Sequence, residues 1–206
     1  MIKKFIALAV CLAILFCNYV VAFAENKETS SGAKNNTEYD FKKFVWGDTE
    51  ETVMAVEGEP LQKGNMKAAK ANFIVYKGSI AGKDAYLAYY FCDDGLYEAR
   101  YILIEEHSNE NLFIKDYEDI RTVLTKRFGD PTFDFENWQD DSKKSYYSSK
   151  KGDALSYGYL SYETYYLMER SVVGMDMSAD NYDITTTISF QSLNIIPEES
   201  NYADDF

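Results

Sequence analysis

Twice along the chain, a short run with apolar residues at helical spacing is closed by glycine, an acid and proline. Each is followed by runs in which apolar and polar residues alternate. The first stop is Glu57-Gly58-Glu59-Pro60 and the second is Phe128-Gly129-Asp130-Pro131. Glycine accepts the left-handed conformation that ends a helix and proline cannot extend one, so both read as helix C-termini. Before the first stop, Asp48 or Thr49 is placed to cap a helix whose Val53, Met54 and Val56 lie on one side. Before the second, Tyr117, Ile120, Val123, Leu124 and Phe128 form a buried stripe in a helix from Ile114 to Phe128. Asp116 near its start and Lys126-Arg127 near its end suit the helix dipole.

The alternating runs predict strands. After the first helix come Phe73 to Lys77, Ala85 to Cys92 and Leu96 to Glu105, parted by turn signals at Gly78 to Gly82 and Asp93-Asp94-Gly95. After the second come Lys144 to Ser149, Leu155 to Met168, Val172 to Met177 and Tyr182 to Leu193. In the last, Ile184, Thr186, Ile188 and Phe190 point one way and Thr185, Thr187, Ser189 and Gln191 the other, one face core and one wet. The polar stretches Leu61 to Ala71 and Asp134 to Asp141 read as connections. The predicted class is therefore α+β, with two related units over 39–112 and 113–196, each a short helix packed on an antiparallel β-meander.

The ends differ in kind. Lys3 and Lys4, an apolar run from Phe5 to Val21, and Ala22-Phe23-Ala24 have the form of a secretion signal cleaved after Ala24. Phe16 is too bulky to precede a lipidated Cys17, and retention of the apolar run as an anchor is the other alternative. Residues 25–38 are polar and unpatterned, a flexible tether. Residues 197–206 form an acidic tail.

The net charge of −13 becomes more negative once a signal with two lysines and no acid is removed. Such a chain is a poor partner for nucleic acid or anionic membrane; a basic protein or a cation is a permitted partner, and surplus acid more often serves solubility. Only Cys92 follows the signal, so no disulfide within the exported chain is available. Its 18 Tyr and 13 Phe predict a core and sheet surfaces rich in rings.

The pattern Phe44-Val45-Trp46-Gly47, followed by a capped helix, a Gly-x-Pro stop and a meander, resembles a group of small exported bacterial modules. These are the β-lactamase-inhibitor-protein-like and outer-membrane-assembly-lipoprotein families. The resemblance covers most of Tyr39 to Leu193. It implies a helical layer on an antiparallel sheet, two such units in tandem in the inhibitor-type members, and binding as the general role. The chain lacks the lipidated cysteine that follows the signal in the lipoprotein branch, and no inhibitory loop carries over residue by residue.

Catalytic chemistry has little to work with. His107 is the single histidine, in Glu105-Glu106-His107-Ser108-Asn109, and reads as a surface loop residue; no catalytic residue is assigned. Cys92 reads as a small buried hydrophobe. One histidine and one retained cysteine cannot supply a zinc or iron–sulfur site, and Gly78-x-x-x-Gly82 lacks the Lys-Ser/Thr of a phosphate loop, so no cofactor is expected. Calcium has a lesser candidate in Asp176, Asp180, Asn181 and Asp183, whose spacing does not match the calcium loop. The sheet surface carries the leading candidate. With Leu87, Tyr89 and Phe91 toward the helices, period two sends Tyr86 and Tyr90 to the opposite face. Glu98 and Arg100 join them from the next strand, with Tyr97, Ala99, Tyr101 and Leu103 inward. A mixture of Tyr, Arg and acid is typical of a protein-binding surface. The sequence thus points to an exported, non-enzymatic binding or envelope module, with a secreted carboxylate-dependent hydrolase as the alternative.

Overall fold

The structure, a computed structural model, describes residues 39–66 and 69–197. The predicted signal, the tether and, past Pro197, the acidic tail lie outside the described residues. Twelve elements follow in order: α1 (Glu50–Glu57), β1 (Gln62–Met66), β2 (Ala71–Ile80), β3 (Lys83–Cys92), β4 (Gly95–Leu103), α2 (Asn111–Phe128), β5 (Phe133–Trp138), α3 (Asp141–Tyr147), α4 (Lys151–Ser156), β6 (Leu160–Leu167), β7 (Ser171–Asp180) and β8 (Asp183–Ser192). The class is α+β, as the two pattern periods predict. All eight strands belong to one antiparallel sheet in the order β1-β2-β3-β4-β8-β7-β6-β5, so each four-strand run ends at the centre and β4 pairs with β8.

The helices lie on one face. A cross-strand row, Ile74, Tyr89, Ala99, Phe190, Val173 and Tyr166, runs across six strands within one buried cluster, to which Val53 of α1, Tyr117, Ile120, Leu124 and Phe128 of α2, and Ala154 and Leu155 of α4 also belong. The Phe44-Val45-Trp46-Gly47 motif is part of this packing. Phe44 meets Tyr89 edge to face at 5.5 Å, and the indole of Trp46 donates to Ser171 Oγ at 2.8 Å, 125 residues away. Gly47 N–H donates to the carbonyl of Leu96 at 2.9 Å, and a Cβ on Gly95 would lie 2.3 Å from the Gly47 carbonyl oxygen. Backbone therefore touches backbone where the motif meets the β3–β4 turn.

Several expectations are corrected. The two polar connections contain β1 and β5, the edge strands, whose pattern is blurred because an edge has solvent beside it. The stretch from Lys144 is helical, not β: Asp140 caps α3 by accepting from Lys143 N–H at 2.9 Å, and α4 follows before β6 begins at Leu160. Val56 and Val123 are exposed: the eight-residue α1 buries Val53 alone, and the apolar residues that α2 buries are Tyr117, Ile120, Leu124 and Phe128. Tyr97 leaves the helix-facing side. Tyr90 pairs with Glu98 and Phe91 with Leu96, so Tyr97 is the extra residue of a bulge and packs with Tyr90 on the other face.

Both glycine stops are present, each donating its N–H back four residues, to Met54 and Thr125, at 2.9 Å. Gly58 has φ 89° and ψ −156°, and Gly129 φ 86° and ψ −170°. The positive φ is as predicted, but the ψ values fall outside the left-handed helical well, in a region that essentially only glycine occupies. A Cβ at either site meets nothing within 4 Å. Gly58→Ala and Gly129→Ala are each expected to lose about 1–3 kcal/mol in denaturant unfolding, wholly from backbone strain. A loss well under 0.5 kcal/mol (~ the ordinary surface range) at either position would contradict that assignment.

Candidate functional site

The sheet face opposite the helices gathers the residues predicted for it. Three register rows cross it: Phe73, Tyr90, Glu98 and Gln191; Val75, Ala88, Arg100, Ser189, Gly174 and Tyr165; and Tyr86, Ile102, Thr187, Asp176 and Glu163. Arg100 donates through Nε to Glu98 Oε1 at 2.6 Å, with Nη2 at 2.5 Å from the same oxygen, and its guanidinium lies 5.5 Å from the Tyr90 ring centre. Alternation therefore brings Tyr86, Tyr90, Glu98 and Arg100 onto one face. The openness expected of them is absent, because Tyr90, Glu98 and Arg100 are only 1, 2 and 4 % exposed. Period two fixes which way a side chain points and is silent on what lies over it.

Burial governs the protonation of this face. It pushes the Tyr90 phenol up to about 12, with Arg100 pulling the other way. Burial alone would lower the Arg100 guanidinium, but the adjoining Glu98 carboxylate holds it above its ordinary value. Asp176 is pushed by burial up to about 6, against the hydrogen bond from the Thr187 hydroxyl and the charge of Arg100.

The four oxygen-bearing residues considered for calcium do not converge. Asp176 belongs to this face, whereas Asp180, Asn181 and Asp183 make the β7–β8 turn at its edge. Among the described residues no group of three or more His, Cys, Asp or Glu side chains is placed to hold a metal ion.

That turn borders a feature scattered in the sequence. Tyr146 and Tyr147 of α3, Tyr157 and Tyr159 of the α4–β6 connection, and Tyr182 of the β7–β8 turn form an unbroken chain of ring contacts. Taken in the order Tyr146, Tyr147, Tyr159, Tyr157 and Tyr182, the successive centroid separations are 4.8, 5.5, 5.7 and 5.8 Å. Tyr147 and Tyr159 pack against the core, while Tyr146, Tyr157 and Tyr182 are 70, 47 and 70 % exposed. Lys143 Nζ sits 4.0 Å from the Tyr159 ring centre, a cation on an aromatic face. Asn181 and Tyr182 have φ 49° and 70°, while the β2–β3 turn holds Ala81 and Gly82 at 51° and 78°. The bulky Tyr182 thus occupies a conformation that the comparable hairpin gives to glycine. Only the Tyr146-Tyr147 pair is visible as a local signal; the other members are brought in by the fold.

His107 is not a free loop residue. Its Nε2 lies 2.6 Å from Asp116 Oδ2, its ring stands edge-on to Phe113 at 4.7 Å, and Lys83 Nζ donates to Asp116 Oδ1 at 2.5 Å. Cys92 is at the opposite end of β3 from Lys83, about 30 Å away at 3.3 Å per residue, and burial pushes its thiol up. The two cannot form a Cys-His pair.

No family model matches the chain, and no curated protein matches it. A search of solved structures finds similarity to an extracellular protein containing an SCP domain from Bacillus anthracis str. Ames, at 12 % identity and a TM-score of 0.32. That match covers 82 % of this chain, which spans about half of the other (49 %). Likeness at this level identifies neither fold nor function. No helix among the described residues is long and apolar enough to cross a membrane.

The Asp116 cluster gives a test by pH. Burial alone would raise the Asp116 carboxyl, but hydrogen bonds from Lys83 and His107 hold it below its ordinary value. Its stabilising share is therefore present above the unfolded pKa of about 3.9 and lost as pH falls through the lower folded one. In urea unfolding, Asp116→Asn is expected to cost about 1–3 kcal/mol at pH 7 and progressively less as pH falls below about 4. An undiminished deficit at low pH would contradict the charged arrangement.

Proposed function

We propose that the protein is an exported, non-enzymatic binding module whose contact surface is the tyrosine cluster Tyr146-Tyr147-Tyr157-Tyr159-Tyr182. Export rests on the form of residues 1–24, and the reading as two tandem units on the repeated glycine stop and the strand order mirrored about β4 and β8. The observation that carries the proposal is Tyr182, which is bulky, 70 % exposed and held at a φ suited to glycine. Strain of this kind persists where the side chain serves something other than stability. Tyrosine presents a large contact area with few rotatable bonds and a hydroxyl at its tip, which suits it to anchor a partner protein. Three exposed rings supported by two core-packed ones supply a rigid patch for a polypeptide surface. This reading moves the expected contact surface from Tyr86, Tyr90, Glu98 and Arg100, of which Tyr86 is half-buried and the other three are covered, to the end of the sheet. It also accords with the general binding role implied by the resemblance to inhibitor-type modules.

Separating stability from binding tests the proposal. Tyr182→Gly is expected to hold or raise the thermal midpoint, because glycine relieves the strain, and to weaken capture of a purified envelope partner at least tenfold. Tyr146→Ala with Tyr157→Ala is expected to leave the midpoint nearly unchanged, within about 0.5 kcal/mol for each exposed site, and to abolish capture. Undiminished capture by both variants would remove the cluster from consideration.

A second reading, a carboxylate-dependent hydrolase, draws support from Asp176. Its protonation is raised to about 6 and its register partner is Glu163. Loss of a measured hydrolytic activity in Asp176→Asn, with the tyrosine variants unaffected, would favour that reading over binding.

A further inference from the structure

On the helix side, a cavity of about 400 Å³ opens where the two halves of the sheet meet. Its floor is Tyr101 of β4, Phe190 of β8 and Val173 of β7. Phe41 and the α2 residues Leu124 and Phe128 wall it. Around the mouth stand residues 39–42, the β2–β3 turn and the β6–β7 turn, so neither half forms it alone. Three cations line it, and two are already answered: Lys42 Nζ lies 2.5 Å from Glu57 Oε1, and Arg170 Nη2 lies 2.9 Å from Asp40 Oδ2. Arg127 has no carboxylate partner among the described residues and rests its guanidinium 5.3 Å from the Phe128 ring centre. Glu169 stands on the mouth's other side, on the β6–β7 turn.

The floor holds an unpaired donor. Tyr101 is 8 % exposed, its ring packs against Phe41 at 6.0 Å and Phe190 at 6.4 Å, and its hydroxyl makes no hydrogen bond among the described residues. The hydroxyl is not sealed in the wall: it opens on the cavity, where it offers a donor to an occupant that carries an acceptor. Burial and then the Glu57 carboxylate raise this phenol, and the Arg127 charge acts on it in the opposite sense. Ligand cavities are commonly of this kind, mostly apolar, several hundred Å³ in volume, with a few converging polar groups.

We propose that this cavity binds a small amphipathic carboxylate. Its aliphatic or aromatic body lies among Phe41, Leu124, Phe128, Val173 and Phe190, and its carboxylate accepts from the Tyr101 hydroxyl and pairs with Arg127. The site is separate from the tyrosine cluster, so either proposal can fail without the other.

Titration calorimetry with decanoate, and with decanol as its uncharged counterpart, tests the assignment on the purified protein. Decanoate is expected to bind saturably, one per chain, at least tenfold more tightly than decanol. Arg127→Gln, at an exposed position, is expected to remove that tenfold advantage while leaving decanol binding unchanged. Tyr101→Phe, which keeps the ring, is expected to weaken decanoate several-fold. A thermal scan of each variant confirms folding, and the Tyr182→Gly protein is expected to bind decanoate as the wild type does. No saturable decanoate binding up to millimolar concentration would overturn the proposal. So would equal binding of decanol, or wild-type affinity in both Arg127→Gln and Tyr101→Phe.

Discussion

The structure depends on one pairing, that of β4 with β8. Each four-strand run ends at the centre of the sheet, and the registers Ala99 with Phe190 and Tyr101 with Ile188 join segments about ninety residues apart in sequence. Loop closure over that span costs about one and a half times RT ln n, which contacts made at the seam must offset. The seam is accordingly apolar on its helix side, where Tyr101, Ile188 and Phe190 are buried with Phe41 and Phe128. It is reinforced from above by Trp46 bonding to Ser171 and Asp40 to Arg170, two links between the N-terminal segment and β7 or its approach. Because α1 and α2 cover different parts of the sheet, the same seam leaves the cavity floored by Tyr101.

The central elements are legible because a half-buried strand must alternate and a packed helix must keep a stripe. The stripe Tyr117, Ile120, Leu124 and Phe128 keeps its period. By contrast, β3, β4 and β8 alternate in residue type but are buried on both faces, so Thr187, Ser189 and Gln191, expected on a wet face of β8, are covered. What sequence reasoning misses has local physical causes. β1 and β5 are edge strands with solvent beside them, so polar residues replace the alternation. α3 and α4 are too short to show a stripe, and the tyrosines and serines around them suggest β-structure until Asp140 is seen to be a cap. The bulge at Tyr97 reverses one side chain without altering composition.

The candidate site is less legible than the fold. Face assignment succeeds for Tyr90, Glu98 and Arg100, and exposure does not, because coverage depends on elements far away in sequence. The tyrosine cluster draws on three separated segments, and only the φ of Tyr182 marks it as unusual. Likewise Asp116 reads as a dipole partner at a helix start, whereas it is 4 % exposed and holds Lys83 and His107. Charge near a helix end has several uses, and burial decides among them.

The seam is the claim on which cavity and sheet both rest, and native-state hydrogen exchange tests it most directly. If the eight strands are one cooperative unit, the amides of Ala99, Tyr101, Ile188 and Phe190 exchange only by global unfolding. They then share a single opening free energy with protected amides of β2, β3, β6 and β7. Two distinct free energies, one for residues 71–103 and another for 160–192, with the β4–β8 amides following the weaker, would contradict the account.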